Sequence, residues 1–151
     1  MLELIASLAV ATPLAAAMVI ALGILTGRLQ HETTEHIAGW LSTSAALVSL
    51  LSVAGLLIFS LFKPGQLPAT LPLLDWFSSG QLSIVIALSL DKLALGMGSL
   101  FALLLYITLR FSVNYLHRER GYFRFFMVLD LFTAAMLLIV LSGNAITAFL
   151  G

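Results

Sequence analysis

Leu116-His117-Arg118-Glu119-Arg120-Gly121-Tyr122-Phe123-Arg124-Phe125-Phe126 is a basic, aromatic loop set between two long apolar runs. With Arg110 just upstream it gathers four of the seven Lys and Arg residues of a chain that is otherwise nearly free of charge. The 151 residues are 61% hydrophobic and 9% charged, with a mean hydropathy of +1.11. A soluble domain carries roughly 25% charged residues. Seven acidic and seven basic side chains cannot solvate the surface of a globule this size. The solvent for most of that surface must be lipid or other membrane subunits. A net charge of zero argues against nucleic acid as a partner, and the lack of cysteine excludes disulfides, thiolate metal sites and cysteine nucleophiles within the chain.

Outward from the loop the charges are sparse enough to count spans. Leu4 to Gly27 is charge-free, and so is the run between His36 and Lys63. Each exceeds the ~20 residues a helix needs to cross a bilayer core. The start, Met1-Leu2-Glu3, lacks the positive region of a secretory signal, so the first run is expected to stay as a transmembrane helix. Pro13 inside it removes a helix hydrogen bond, which membrane helices tolerate when a neighbour re-satisfies the freed carbonyl. Three of the four prolines fall between 64 and 72 and end the second helix. Beyond Ser78-Ser79-Gly80, the residues Leu82, Ile84, Ile86, Leu88 and Leu90 alternate with mostly smaller ones, which predicts a short hairpin at the membrane surface. The alternative is that the third helix begins at Ile84. The expected spans are about 4–27, 37–62, 91–112 and 123–150. Near the span ends, Arg28, Arg110, Arg118, Arg120 and Arg124 outweigh Lys63 and Lys92. By the positive-inside rule the first and third loops are then cytoplasmic and both termini lie outside. The predicted fold is an all-α membrane protein of four transmembrane helices, N-out and C-out, with a short external β-hairpin before the third.

The series Trp76-Phe77, Gly80, Leu90-Asp91, Tyr115-Leu116, Gly121-Tyr122-Phe123-Arg124-Phe125-Phe126, Leu131-Phe132, Met136-Leu137, Asn144 and Phe149-Leu150-Gly151 resembles the N-terminal part of the chain 5 (subunit L) membrane component of respiratory complex I. Relatives of that family include the large subunit of multisubunit sodium/proton antiporters and the membrane partner of inorganic-carbon accumulating complexes. The likeness covers Trp76 to Gly151 strongly and the first half only in layout. It implies the same outward N-terminus, external hairpin and cytoplasmic arginine loop. It also implies a continuation after Gly151 with Trp-Glu, whose glutamate belongs to the proton-conducting ion pair. The expectation is therefore the front piece of a proton-translocating subunit, unable to conduct protons alone.

Asp130 is the only charge well inside a predicted span, about 10 Å from Phe123 at 1.5 Å per residue. Three readings stay open: a structural pair with Arg110 at similar depth, a proton-path role, or contact with water. The resemblance implies that relatives often carry uncharged residues at both positions. Asp91 is expected to cap the third helix with its side chain, and Lys92 to snorkel toward headgroups. Arg118, Arg120 and Arg124 should anchor the third loop at anionic headgroups or a neighbouring subunit. Tyr115, Tyr122, Phe123, Phe125 and Phe126 are read as interfacial aromatics. His31 and His36, with Glu32 and Glu35, lack a third constrained ligand, so they are read as a solvated loop rather than a zinc site. His117 is read as interfacial.

No dinucleotide fingerprint, phosphate loop or hydrolase constellation is present. The chain is expected to hold no catalytic residue, metal or cofactor, and any NADH or quinone chemistry would belong to other subunits. The leading expectation is a membrane subunit of a proton-translocating NADH:quinone oxidoreductase-like complex, partnered by other membrane subunits and lipid in a bacterial inner membrane, with an organellar inner membrane as the lesser alternative. The alternatives are a cation/proton antiporter or inorganic-carbon uptake complex, or a purely structural small membrane protein.

Overall fold

The structure, a computed structural model, describes residues 2–27, 34–63, 68, 70–79, 82–117, 119 and 121–151, and side chains outside 73–79 and 82–84. In chain order the elements are α1 (Leu2–Leu25), α2 (Glu35–Phe62), β1 (Thr70–Ser79), β2 (Leu82–Ser89), α3 (Lys92–Tyr115), α4 (Tyr122–Val140) and α5 (Ala145–Leu150). The first four long helices have 24, 28, 24 and 19 residues. At 1.5 Å per residue they run roughly 28 to 42 Å, against a hydrocarbon core of about 30 Å. All four are apolar enough to cross a membrane. The chain is a multi-pass membrane protein.

Its residue distribution is inverted relative to a soluble bundle. Small side chains line the inside: Ala6, Ala9, Pro13, Ala16 and Ala17 on α1, and Ala38, Gly39, Ser42, Ala45, Ala46 and Ser49 on α2. Large apolar ones such as Leu51, Leu93, Phe111 and Val128 point outward. Lipid tails are as apolar as leucine, so helices in a bilayer associate by close packing and hydrogen bonds rather than by the hydrophobic effect. Spacings of three and four place each small-residue set on one helix face. α1 packs against both α2 and α4, and α3 packs against α2 and, less extensively, against α4. One core cluster (Ala6, Val53, Leu56, Leu88, Leu95 and Leu141 among others) lies at the hairpin end of the bundle. A second, built on Ile20, Ala38, Leu109, Tyr122 and Phe126, lies at the loop end.

The Pro13 defect is repaired from the neighbouring helix. Proline has no N–H, so the carbonyl of Ala9, four residues back, loses its helical donor. Ser49 Oγ on α2 donates to that carbonyl at 2.5 Å, and Thr12 Oγ1 lies 3.1 Å from Ser49 Oγ. Ser49→Ala should cost about 1 kcal/mol, a typical interhelical hydrogen bond in a membrane. In a Pro13→Ala background, where residue 13 regains its own N–H, the same change should be close to neutral. Detergent-mixture unfolding of the four variants measures this; an equal loss in both backgrounds would remove the repair.

The hairpin is present, and its register runs from Thr70 opposite Ser89 to Ser79 opposite Leu82, with irregularities between Pro72 and Leu74 and between Asp75 and Phe77. The fourth span differs from the single helix expected over 123–150. α4 stops at Val140, and a six-residue α5 follows after a break. The reason is competition for the backbone. Ser89 N–H donates to the Leu141 carbonyl and Gly143 N–H to the Ala87 carbonyl, both at 2.7 Å, and Leu88 bridges Ser142. Residues 141–143 leave the helix to extend the sheet along β2. Asn144 then starts α5, its Oδ1 accepting from Thr147 N–H and Thr147 Oγ1 while its Nδ2 donates to the Val85 carbonyl.

Candidate functional site

Helical spacing puts Tyr122, Phe126 and Asp130 on one face of α4, and that face turns inward. Asp130 has no exposed surface. Its Oδ2 accepts a hydrogen bond of 2.5 Å from Ser42 Oγ on α2, across the middle of the bundle. Its Oδ1 is buried without a hydrogen-bond partner among the described residues. Ser42 is itself fully buried and is followed one turn on by the buried Ala46.

Arg110 does not join it. Arg110 is exposed on α3, whose inward face consists of Leu95, Gly98, Ala102, Leu105, Leu109 and Ser112. A residue next to the buried Leu109 is turned about 100° away from it. The pair with Arg110, one of the three readings, does not form, and the hydrogen bond that Asp130 makes is with Ser42. Sequence reasoning passed over Ser42 because a neutral serine in an apolar run carries no charge signal. The one available clue was the set of serines on α2 at helical spacing.

The remaining candidates fall elsewhere. Asp91 stands at the start of α3, and its carbonyl accepts from Leu95 N–H at 3.0 Å. Its side chain makes no capping bond; instead Oδ1 accepts from Ser89 Oγ at 2.8 Å, tying the helix start back to β2. Arg124 is exposed in the first turn of α4, whereas Arg118 and Arg120 lie outside the described residues, as do His31 and Glu32. Glu35 is not in a solvated loop: it is buried in the first turn of α2, and its Oε2 lies 3.0 Å from Nδ1 of His117. That is the one ion pair among the described residues with both partners placed, and it joins the start of α2 to the loop after α3. Among the described residues no cluster of three His, Cys, Asp or Glu could hold a metal.

The aromatic set divides. Tyr115 and Phe125 are exposed, as interfacial anchors would be, but Tyr122 and Phe126 are core residues. Their rings pack with centroids 4.6 Å apart, and Phe123 meets Tyr122 edge-on at 5.7 Å. Gly39 on α2 makes room for the tyrosine hydroxyl, since a Cβ there would lie 2.5 Å from it.

The family match falls on the end of β1, on β2, on α3 and on the first turn of α4. Residues 76–126 match the family described as NADH-Ubiquinone oxidoreductase (complex I), chain 5 N-terminus. The chain is 33% identical over 141 residues to the chloroplastic NAD(P)H-quinone oxidoreductase subunit 5 of Chlorokybus atmophyticus, covering 91% of this chain and 20% of that one. It is 34% identical over 90 residues to NADH-quinone oxidoreductase subunit L of Escherichia coli (strain K12), covering 60% and 15%. With NADH-ubiquinone oxidoreductase chain 5 of Candida albicans the figures are 30% over 84 residues, 56% and 15%. This chain belongs to the complex I chain 5 family. It spans about a fifth of the length of the first of these relatives and less of the other two. The likeness to the chain 5 family extends beyond Trp76–Gly151 into the first half, because the alignment covers 91% of this chain. Asp130 lies just past the matched 76–126 region.

Proposed function

We propose that this chain is the N-terminal membrane segment of the chain 5-type subunit in a proton-translocating NADH:quinone oxidoreductase-like complex. The observation that carries this is the chain 5 match over the hairpin, α3 and the α4 start, joined to four membrane-length helices packed through small-residue faces. The segment's task is to build and seal one end of the translocation module. In its α1–α2 seam Ser49 and Thr12 satisfy the backbone that the proline leaves open. Its partners are other membrane subunits of the complex and the bilayer. Both termini and the hairpin face outward, and the arginine loop faces the cytoplasmic or equivalent side, following the excess of arginine at Arg28, Arg110, Arg118, Arg120 and Arg124.

Two measurements test these statements. Because the chain lacks cysteine, single cysteines report orientation cleanly. Lys63→Cys should react with a membrane-impermeant maleimide on intact cells, and Glu119→Cys only after permeabilisation; the reverse pattern would overturn the orientation. Affinity purification in mild detergent should bring down membrane and redox subunits of a quinone reductase. Recovery with small antiporter subunits, or with a soluble zinc protein, would instead place the segment in an ion-exchange or carbon-uptake complex.

A further inference from the structure

We propose that Asp130 and Ser42 form a proton-binding site inside the helix bundle. It is built wholly from α2 and α4, so it stands apart from the complex reading; only its use in translocation would rest on that reading. Asp130 is fully buried, and Ser42 Oγ at 2.5 Å is its side chain's one hydrogen-bond partner among the described residues. The second oxygen, Oδ1, is buried and unpartnered. The buried residues on this face of α4 are Tyr122, Phe126, Thr133, Ala134 and Leu137, those flanking Ser42 on α2 are Ala38, Gly39, Ala45 and Ala46, and α1, which also packs on α4, buries only small or apolar side chains, so none of these neighbours is charged. The charged groups nearest in sequence are turned away. Arg124 and Arg110 are exposed, and the Glu35–His117 pair sits at the loop end, where His117 is 60% exposed.

A carboxylate in this position would be a desolvated charge held by a single neutral donor. Buried charges persist when they are paired and fully hydrogen-bonded, and Asp130 is neither. One proton resolves the conflict. With hydrogen on Oδ2, the acid hydroxyl donates to Ser42 Oγ, and Oδ1 is left as a carbonyl oxygen. A carbonyl without a donor is a far smaller penalty than an unpaired charge. The step is simply carboxylate plus one proton giving the carboxylic acid, reversed on release, with no other reactant. The 2.5 Å separation is a short O–H···O hydrogen bond, in which either oxygen can carry the hydrogen.

Infrared difference spectroscopy of the chain in lipid vesicles, reading the C=O stretch of protonated carboxylic acids, tests the site directly. A band should be present at neutral pH, vanish in Asp130→Asn and move to higher frequency in Ser42→Ala, where the hydrogen bond to the acid is gone. The chain has three aspartates, Asp75, Asp91 and Asp130. An Asp75→Asn/Asp91→Asn variant grown with 13C-aspartate therefore assigns the band without altering Asp130, should Asp130→Asn fail to fold. A band that persists and shifts with the isotope supports the site. Its absence in that variant, or a band indifferent to Ser42→Ala, overturns it.

Discussion

Asn144→Ala should loosen the joint between the hairpin and the bundle by about 2–3 kcal/mol. Asn144 makes three side-chain bonds: Nδ2 to the Val85 carbonyl at 2.6 Å, and Oδ1 from Thr147 N–H at 2.8 Å and from Thr147 Oγ1 at 2.6 Å. Removing an N-cap side chain costs about 1 kcal/mol. A partly buried carbonyl left without its donor adds roughly another 1–2 kcal/mol. Thr147 is fully buried and also accepts from Ala87 N–H, so the loss spreads into β2. The readout is amide exchange: Ser89 and Gly143, whose N–H groups bond across this joint, should lose protection in Asn144→Ala while amides within α1 keep theirs. Asn144→Asp retains an acceptor for Thr147 and loses the donor to Val85, so it should fall between wild type and alanine. Unchanged exchange at Ser89 in the alanine variant would mean that the backbone bridges alone hold the joint.

That joint shows where sequence was readable and where it was not. Each charge-free run longer than about 20 residues announced a helix, because no other structure spans a bilayer with its backbone satisfied except a closed barrel. The hairpin was legible from alternation around Leu82 to Leu90. The break after Val140 was not, because Leu141 to Leu150 is as apolar as what precedes it and only Ser142-Gly143-Asn144 marks a pause. What opens the helix there is pairing with Ala87 and Ser89, more than fifty positions earlier, and no local pattern encodes such a partner. The site follows the same division. Asp130 stood out as a charge in an apolar run, while of the readings left open for it the pair with Arg110 does not form, since Arg110 is exposed. The inward spacing of Leu105, Leu109 and Ser112 on α3 already places Arg110 outside that face. The basic loop proved to be two things at once: Arg124 and Phe125 lie outward, and Tyr122 and Phe126 plug the core.

Gly39→Ala should destabilise that plug by about 2–3 kcal/mol, more than most single methyl additions. A Cβ at Gly39 would lie 2.5 Å from the Tyr122 hydroxyl and 3.1 Å from Val113 Cγ2, so α2, α4 and α3 would all have to give. Inserting a methyl into a packed core costs typically 1–3 kcal/mol. Here the upper part of that range applies because the tyrosine cannot swing aside: it is 2% exposed and is held by Phe126 on one side and Phe123 on the other. Tyr122→Phe removes the atom that collides. The Gly39→Ala/Tyr122→Phe double variant should therefore recover at least about 1 kcal/mol relative to the sum of the single changes, a coupling of the size expected for residues in contact. Recovery stays incomplete because Val113 remains in the way. Unfolding of the four proteins in mixed detergent measures the cycle. Simple additivity would show that the glycine is needed for helix approach in general; the predicted coupling ties it to the tyrosine hydroxyl, and so ties the Gly-Tyr pair of the arginine loop to the small-residue face of α2.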